Sequence, residues 1–318
     1  MKRPVRLSAV ALAVVFATFG ACEKSAKVDD KVTADDVALM TKLPKNVLVV
    51  FGGNFLKIQQ GVNPRLTKMF GDANTQMWMT CFLDVNQLHM MAGAALGTEG
   101  VNLLFVFRGL GVPEIKGCAD KAKFPVTVDP DGKYVTVELT NPQVGAFKAS
   151  YLALTDGTLY TRQTMKIGLV PTVSTLTRAD LEADIAGLSA GTAADNAMLQ
   201  AIVAKADRSR TMWFAGDLST TPAGSKLGEL YGAMDGSGGL ALDVTAQVKD
   251  PMLAAQVTAG LDELRNRAAQ QQDTETKALL DAVQVLKTDD RLRARVRLSS
   301  AQLDALLNKI PGFSSGPR

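Results

Sequence analysis

Three Asp-Gly dipeptides, at 131–132, 156–157 and 235–236, stand between runs rich in valine, tyrosine, threonine and leucine. PVTVDPDGKYVTVEL (125–139), SYLALTDGTLYTRQ (150–163) and ELYGAMDGSGGLALDVTAQV (229–248) read as β-hairpins, because glycine accepts the positive φ of a tight reversal. A hairpin makes its strands antiparallel, whereas parallel neighbours need a long crossover. NVLVVFGG (46–53) and VNLLFVFRG (101–109) are continuous apolar runs, suited to strands covered on both faces or central in a sheet. MWFAGDL (212–218) and the strictly alternating RLRARVRL (291–298) add further strands.

Helical signals fall between them. Thr177 and Asp180 form a capping box before RADLEADIAGL, Asp195 is the expected cap of NAMLQAIVAKA, and Asp250-Pro251 opens PMLAAQVTAGLDELRNRAAQ. Ser300 is the expected cap of AQLDALLNKI, and residues 64–96 are expected to be helical with a break near Asp84. The predicted class is α+β: largely antiparallel sheets of hairpins backed by helices, in two related halves. The halves are placed at 37–164 and 211–313, with a helical connection at 165–210 and a disordered tail at 314–318.

The N-terminus has a different order. Lys2, Arg3 and Arg6 precede an apolar run from Leu7 to Phe19, and Gly20 and Ala21 follow with small side chains. That is the plan of a secretory signal, and the run is shorter than the roughly 20 residues a spanning helix needs. Phe19-Gly20-Ala21-Cys22 resembles the lipobox of bacterial lipoproteins, with Phe where Leu is usual. The resemblance implies that residues 1–21 are removed, that the Cys22 thiol carries a diacylglycerol, and that the new amino group is open to acylation. Two or three acyl chains give a stable membrane anchor where one is marginal. The alternative is an ordinary secreted chain with a cysteine near its cleavage site. Glu23 after the cysteine favours the outer membrane over the inner, and residues 22–36 read as the lipidated cysteine and a flexible tether. In layout the body resembles duplicated α+β lipoproteins of bacterial envelopes.

Losing residues 1–21 removes Lys2, Arg3 and Arg6 from 35 basic residues and leaves 32 against 32 acidic. A neutral body offers no electrostatic case for nucleic acid. Cys81 and Cys118 remain as one pair, which in an exported chain suggests a disulfide closing a loop of about 37 residues. Two free buried thiols are the alternative. On the loop-entropy picture such a bridge contributes roughly 3–4 kcal/mol.

Chemical motifs are sparse. One histidine, His89, and no HExxH leave no transition-metal set, so neither a metal nor a cofactor is expected. Asp129-Pro130-Asp131-Gly132 resembles a calcium loop only in outline, since Lys133 holds a ligand position; a turn is the better reading. His89 is expected at the edge of a helical apolar stripe, and Met77, Met79, Met90 and Met91 around the same helices are either core filling or a plastic apolar groove.

One pattern is sharper. Arg291, Arg293, Arg295 and Arg297 alternate with apolar residues, so period 2 puts all four guanidinium groups on one face of a strand. They make either a solvated face with cross-strand acids, such as Asp243 or Glu138, or a stripe that binds an anion. The expected function is that of a non-catalytic envelope lipoprotein, held to the membrane by its lipid anchor and binding an envelope protein or other envelope component. The alternative is a periplasmic carrier of a lipid or other apolar ligand, and an enzyme working through carboxylates ranks behind both.

Overall fold

The computed structural model describes residues 34–54, 73–83, 85, 88–97, 100–141, 145–166, 172–221, 226–236, 239–270 and 274–309. The signal segment, Cys22, most of the tether and the 314–318 tail lie outside the described residues.

The predicted α+β arrangement in two related halves is corrected: the strands form one 13-stranded, sheet-dominated structure. The strands are β1 (Val49–Asn54), β2 (His89–Leu96), β3 (Gly100–Arg108), β4 (Val126–Val128), β5 (Tyr134–Asn141), β6 (Gly145–Ala153) and β7 (Thr158–Lys166). They continue as β8 (Thr172–Ser174), β9 (Met212–Asp217), β10 (Leu227–Asp235), β11 (Gly239–Val248), β12 (Val283–Thr288) and β13 (Arg291–Ser299). Their order is β12-β13-β11-β10-β9-β1-β2-β3-β7-β6-β5-β4, with β8 beside β7. β1 causes the fusion: it pairs antiparallel with β2 along one edge and with β9 along the other. An apolar strand with both backbone edges free is satisfied only when both are paired. The predicted hairpins β4–β5, β6–β7 and β10–β11 are all antiparallel.

The helices are α1 (Ala34–Met40), α2 (Ala73–Leu83), α3 (Val112–Ala122), α4 (Arg178–Gly187), α5 (Ala197–Val203), α6 (Pro251–Gln270), α7 (Thr274–Asp281) and α8 (Ser300–Lys309). Thr177 closes its capping box with Asp180 as expected, and Asp250 accepts from the Met252 amide. Two caps fall one residue from the expected place. Asn196, not Asp195, accepts from the Leu199 amide, and Ser299, not Ser300, accepts from the Gln302 amide.

The expected helix across 88–96 is a strand, β2. Ala, Met and Leu there favour a helix, but the segment lies between β1 and β3, and tertiary pairing overrides propensity. Gly93 suits that place, since a Cβ would come within 3.0 Å of Val47.

Alternation sorts the core onto two faces. On one, here the disulfide face, Val135, Val137, Tyr151 and Leu159 pack with Trp78, Ile115 and Cys118, while Met234, Leu240 and Leu298 pack with Leu303. On the other, the arginine face, Tyr134, Leu152, Tyr160, Trp213 and Ala215 pack with Leu39, Met40, Leu181, Leu199 and Ile202. Gly52 of β1 leaves the space filled by the Trp213 indole. Helix α4 and the segment leading into it are tied down by polar contacts as well. The Ser150 hydroxyl donates to the Leu176 carbonyl at 2.7 Å, and Arg162 donates to Asp184 at 2.5 Å.

Candidate functional site

Cys81 and Cys118 are bonded, joining α2 to α3 beneath the first-wing strands (β2–β8). This agrees with the pairing expected from the sequence.

The Arg291–Arg297 row lies on β13, which pairs with β11 and β12. Arg291, Arg293 and Arg297 are exposed and Arg295 is half-buried; their apolar alternates Leu292, Ala294, Val296 and Leu298 face the other way. In register, Arg297 faces Ala241, Arg295 faces Asp243 and Arg293 faces Thr245 of β11. One strand further in, Asp235, Ala233 and Tyr231 of β10 continue the same three rows.

Asp243 is the hub. Arg293 grips it with two N–H groups, the Nε contact at 2.7 Å, and Arg295 approaches at 3.3 Å. Burial pushes the Asp243 carboxyl up, but the hydrogen bond from Arg293 and the charges of Arg293, Arg295 and Arg297 outweigh it, leaving the group below the usual carboxylate range. The same hydrogen bond raises Arg293. Glu138, the other acid expected beside the row, pairs instead with Lys148 at 2.8 Å, in the first wing. Arg291 donates to the Tyr231 hydroxyl at 3.1 Å. Arg297 donates to the carbonyls of Leu242, at 3.5 Å, and Val296, at 3.2 Å, and pairs with no carboxylate among the described residues.

Opposite the row stand Lys205, Asp207 and Arg210, from the turn between α5 and β9. Lys205 pairs with Glu229 at 2.5 Å. Arg210 donates to Asp207 at 3.0 Å and to Asp235, and Asp235 accepts in addition from the amide and hydroxyl of Thr211, each at 2.9 Å. The hydrogen bond to Asp235 holds Arg210 above its ordinary value. Between Arg293 and Arg297 on one side and this turn on the other lies a cleft of about 390 Å³, floored by Tyr231, Gly232, Ala233, Ala241 and Thr245.

Lys205, Asp207, Arg210 and Tyr231 were not singled out by sequence reasoning, and Asp235 was read only as the start of a hairpin turn. The signal that could have found the turn is ADRSRT (206–211), a charge cluster directly before a buried strand.

The other sequence candidates lie elsewhere. His89 is exposed at the start of β2, and Met90 and Met91 point to opposite faces, so these two methionines do not line one groove. Asp129 and Asp131 sit in a hairpin turn and both pair with Arg178, at 3.1 and 2.8 Å. Cys22 lies outside the described residues.

No family model and no curated protein matches the chain. Among solved structures, crystal forms I and III of TP0453 are each 5% identical with a TM-score of 0.45. They cover 83% and 85% of this chain and 94% and 98% of their own. Crystal form IV is 6% identical with a TM-score of 0.41, covering 84% of this chain and 95% of its own. At that identity and score the likeness bears on neither ligand nor activity.

Proposed function

We propose that the chain is a non-catalytic lipoprotein of the bacterial cell envelope, anchored through Cys22, whose body binds an envelope component on the arginine face. The observation that supports this best is the Cys81–Cys118 bridge. A bonded pair suits a chain carried out of the reducing cytoplasm, as the N-terminal segment also implies. Anchored by its N-terminus, such a body presents the open second wing (β9–β13) to other molecules of the envelope. The test is metabolic labelling with radioactive palmitate in a bacterial host that processes lipoproteins. The full chain is expected to take up label and to sediment with membranes, and Cys22→Ala to take up none. Equal labelling of the variant would remove the anchor from this reading.

A second reading, a carrier of an apolar ligand, is favoured by one row of the disulfide face. Phe214, Phe51, Ala92 and Phe105 are direct neighbours across β9, β1, β2 and β3, and the three rings are only partly buried. Native mass spectrometry of the chain purified from its host would show co-bound mass for a carrier; a clean apo spectrum would count against it.

A further inference from the structure

The cleft on the arginine face contains cations at different levels of commitment. Arg210 is held between two carboxylates, Lys205 has Glu229, and Arg293 and Arg295 share Asp243. Three guanidinium groups of β13 therefore face one carboxylate. With Lys205, Arg210 and their acids Glu229, Asp207 and Asp235 counted in, the cleft has a surplus of one positive charge on a body whose mature formal charge is zero. Arg297 carries this surplus most openly, because among the described residues its hydrogen bonds go only to two main-chain carbonyls. A guanidinium has five N–H donors, so most of those on Arg297 remain available.

Two hydroxyls lie on the same floor. Tyr231 accepts from Arg291, which leaves its own hydrogen free to donate, and Thr245 is its cross-strand partner. Arg297 is four residues along β13 from Arg293, whose partner is Thr245, so the donors are spread over roughly 13 Å of strand. The small residues Ala241 and Ala233 keep the floor between them low. Asp207 and Asp243 also line the cleft, but Asp207 is taken up by Arg210 and Ser209, and Asp243 by Arg293 and Arg295. A planar carboxylate is satisfied edge-on by a single guanidinium. Donors set apart along a cleft suit a larger anion, with a tetrahedral head at Arg297 and a body reaching toward the hydroxyls.

We infer that this cleft binds the phosphate group of an envelope molecule, with Arg297 as the principal contact and Thr245 and Tyr231 as hydroxyl donors to its remainder. The inference rests on the arginine face being the binding surface proposed above, and it narrows the ligand to phosphate chemistry. The phosphate can belong to a lipid headgroup or to a soluble phosphate ester.

Isothermal titration of the full chain in a neutral detergent tests it, with inorganic phosphate, glycerol 3-phosphate, a short-chain phosphatidic acid, a short-chain phosphatidylcholine and acetate as probes. Saturable binding of at least one phosphate monoester is expected, with acetate at least tenfold weaker. Arg297→Gln is expected to weaken it at least tenfold, and Arg297→Lys to recover part of the loss. Asp243→Asn, which frees Arg293 and Arg295, is expected to tighten it. Equal binding of glycerol 3-phosphate and phosphatidic acid assigns a soluble ester as sufficient; binding only of phosphatidic acid assigns a lipid source. No saturable binding of any phosphate at 10 mM, or equal binding by Arg297→Gln, overturns the inference. If envelope polymers bearing only carboxylates bind in a manner lost with Arg293→Glu, the phosphate assignment falls while the envelope-binding reading stands.

Discussion

Strands β7 and β13 present the same face of one sheet, yet one is covered and the other is open. On β7 that face carries Thr158, Tyr160, Arg162 and Thr164, of which Thr158 and Tyr160 are almost fully buried. Helix α4 lies there and supplies Asp184, which accepts from both Arg162 and Tyr160. On β13 the equivalent positions are all arginine, and Asp243 serves two of them at hydrogen-bond distance. The contrast is one of charge count. One arginine with its own acid can be placed under a helix, because the acid offsets most of the cost as water is removed. This holds even though the buried Arg162 Nε has no partner among the described residues. In the row of four, Arg291 has Glu229 at 3.8 Å and Asp290 at 4.0 Å. The other three share Asp243, which would leave unpaired charge in a dry interface, too costly to fold. What separates the wings is thus the residue type at the polar positions, since both strands alternate.

The largest effect should separate the wings by packing. Leu159 of β7 is fully buried on the disulfide face, whereas Leu292 of β13 is only partly buried. Leu159→Ala is expected to cost about 2–5 kcal/mol, and Leu292→Ala less than half as much. Urea denaturation measures both. Equal losses would mean that the second wing is packed as tightly as the first, and the comparison would fail.

A smaller effect should separate the two acids. Asp184 is held above the usual carboxylate range by burial, partly offset by Arg162, while Asp243 is held below it. Asp184→Ala strips Arg162 and Tyr160 of their partner under α4 and is expected to cost about 1–3 kcal/mol. Asp243→Ala, on a solvated face with Arg293 nearly half exposed, is expected to cost at most about 1 kcal/mol and to lose that effect in high salt. The pH dependence also has opposite signs. A carboxyl with a lowered folded pKa contributes stability that is complete above the unfolded value, about 3.9, and disappears as pH falls through the folded value. Wild type and Asp243→Ala should therefore converge in acid. Asp184, with a raised folded value, loses part of its contribution as pH rises from the unfolded value through the folded one. Thermal denaturation from pH 3 to 7 reads both; parallel curves would break the assignment.

These contrasts bear on what the sequence can disclose. The hairpins were legible because Asp-Gly turns are local chemistry, and Gly132 and Gly157 do adopt positive φ. The arginine row was legible because period 2 needs only one strand. The single sheet was not, since it depends on β1 pairing with β9, 163 residues away by the Val49–Met212 separation, and no local signal specifies that edge. Residues 88–96 were misread because Ala, Leu and Met carry helix propensity, while their strand geometry is imposed by β1 and β3. The far wall of the cleft was missed for a similar reason. Lys205, Asp207 and Arg210 reach the arginines only through β9–β10–β11 pairing.

The smallest expected effect is also the most discriminating within the open wing. Arg293→Gln removes a two-point grip on Asp243 and should destabilise the fold by about 0.5–1 kcal/mol. Arg297→Gln removes only long contacts to the Leu242 and Val296 carbonyls, from an exposed side chain, and should change stability by no more than about 0.5 kcal/mol. If urea midpoints showed the two variants equally destabilised, the four arginines would act as one structural lattice with Asp243 at its centre. The free charge at Arg297 would then be engaged by the fold itself, and the open wing would differ from the covered one in exposure alone. If Arg297→Gln is neutral while Arg293→Gln is not, the row divides into a part that holds the sheet and a part that folding leaves unused, which is the part available to a ligand.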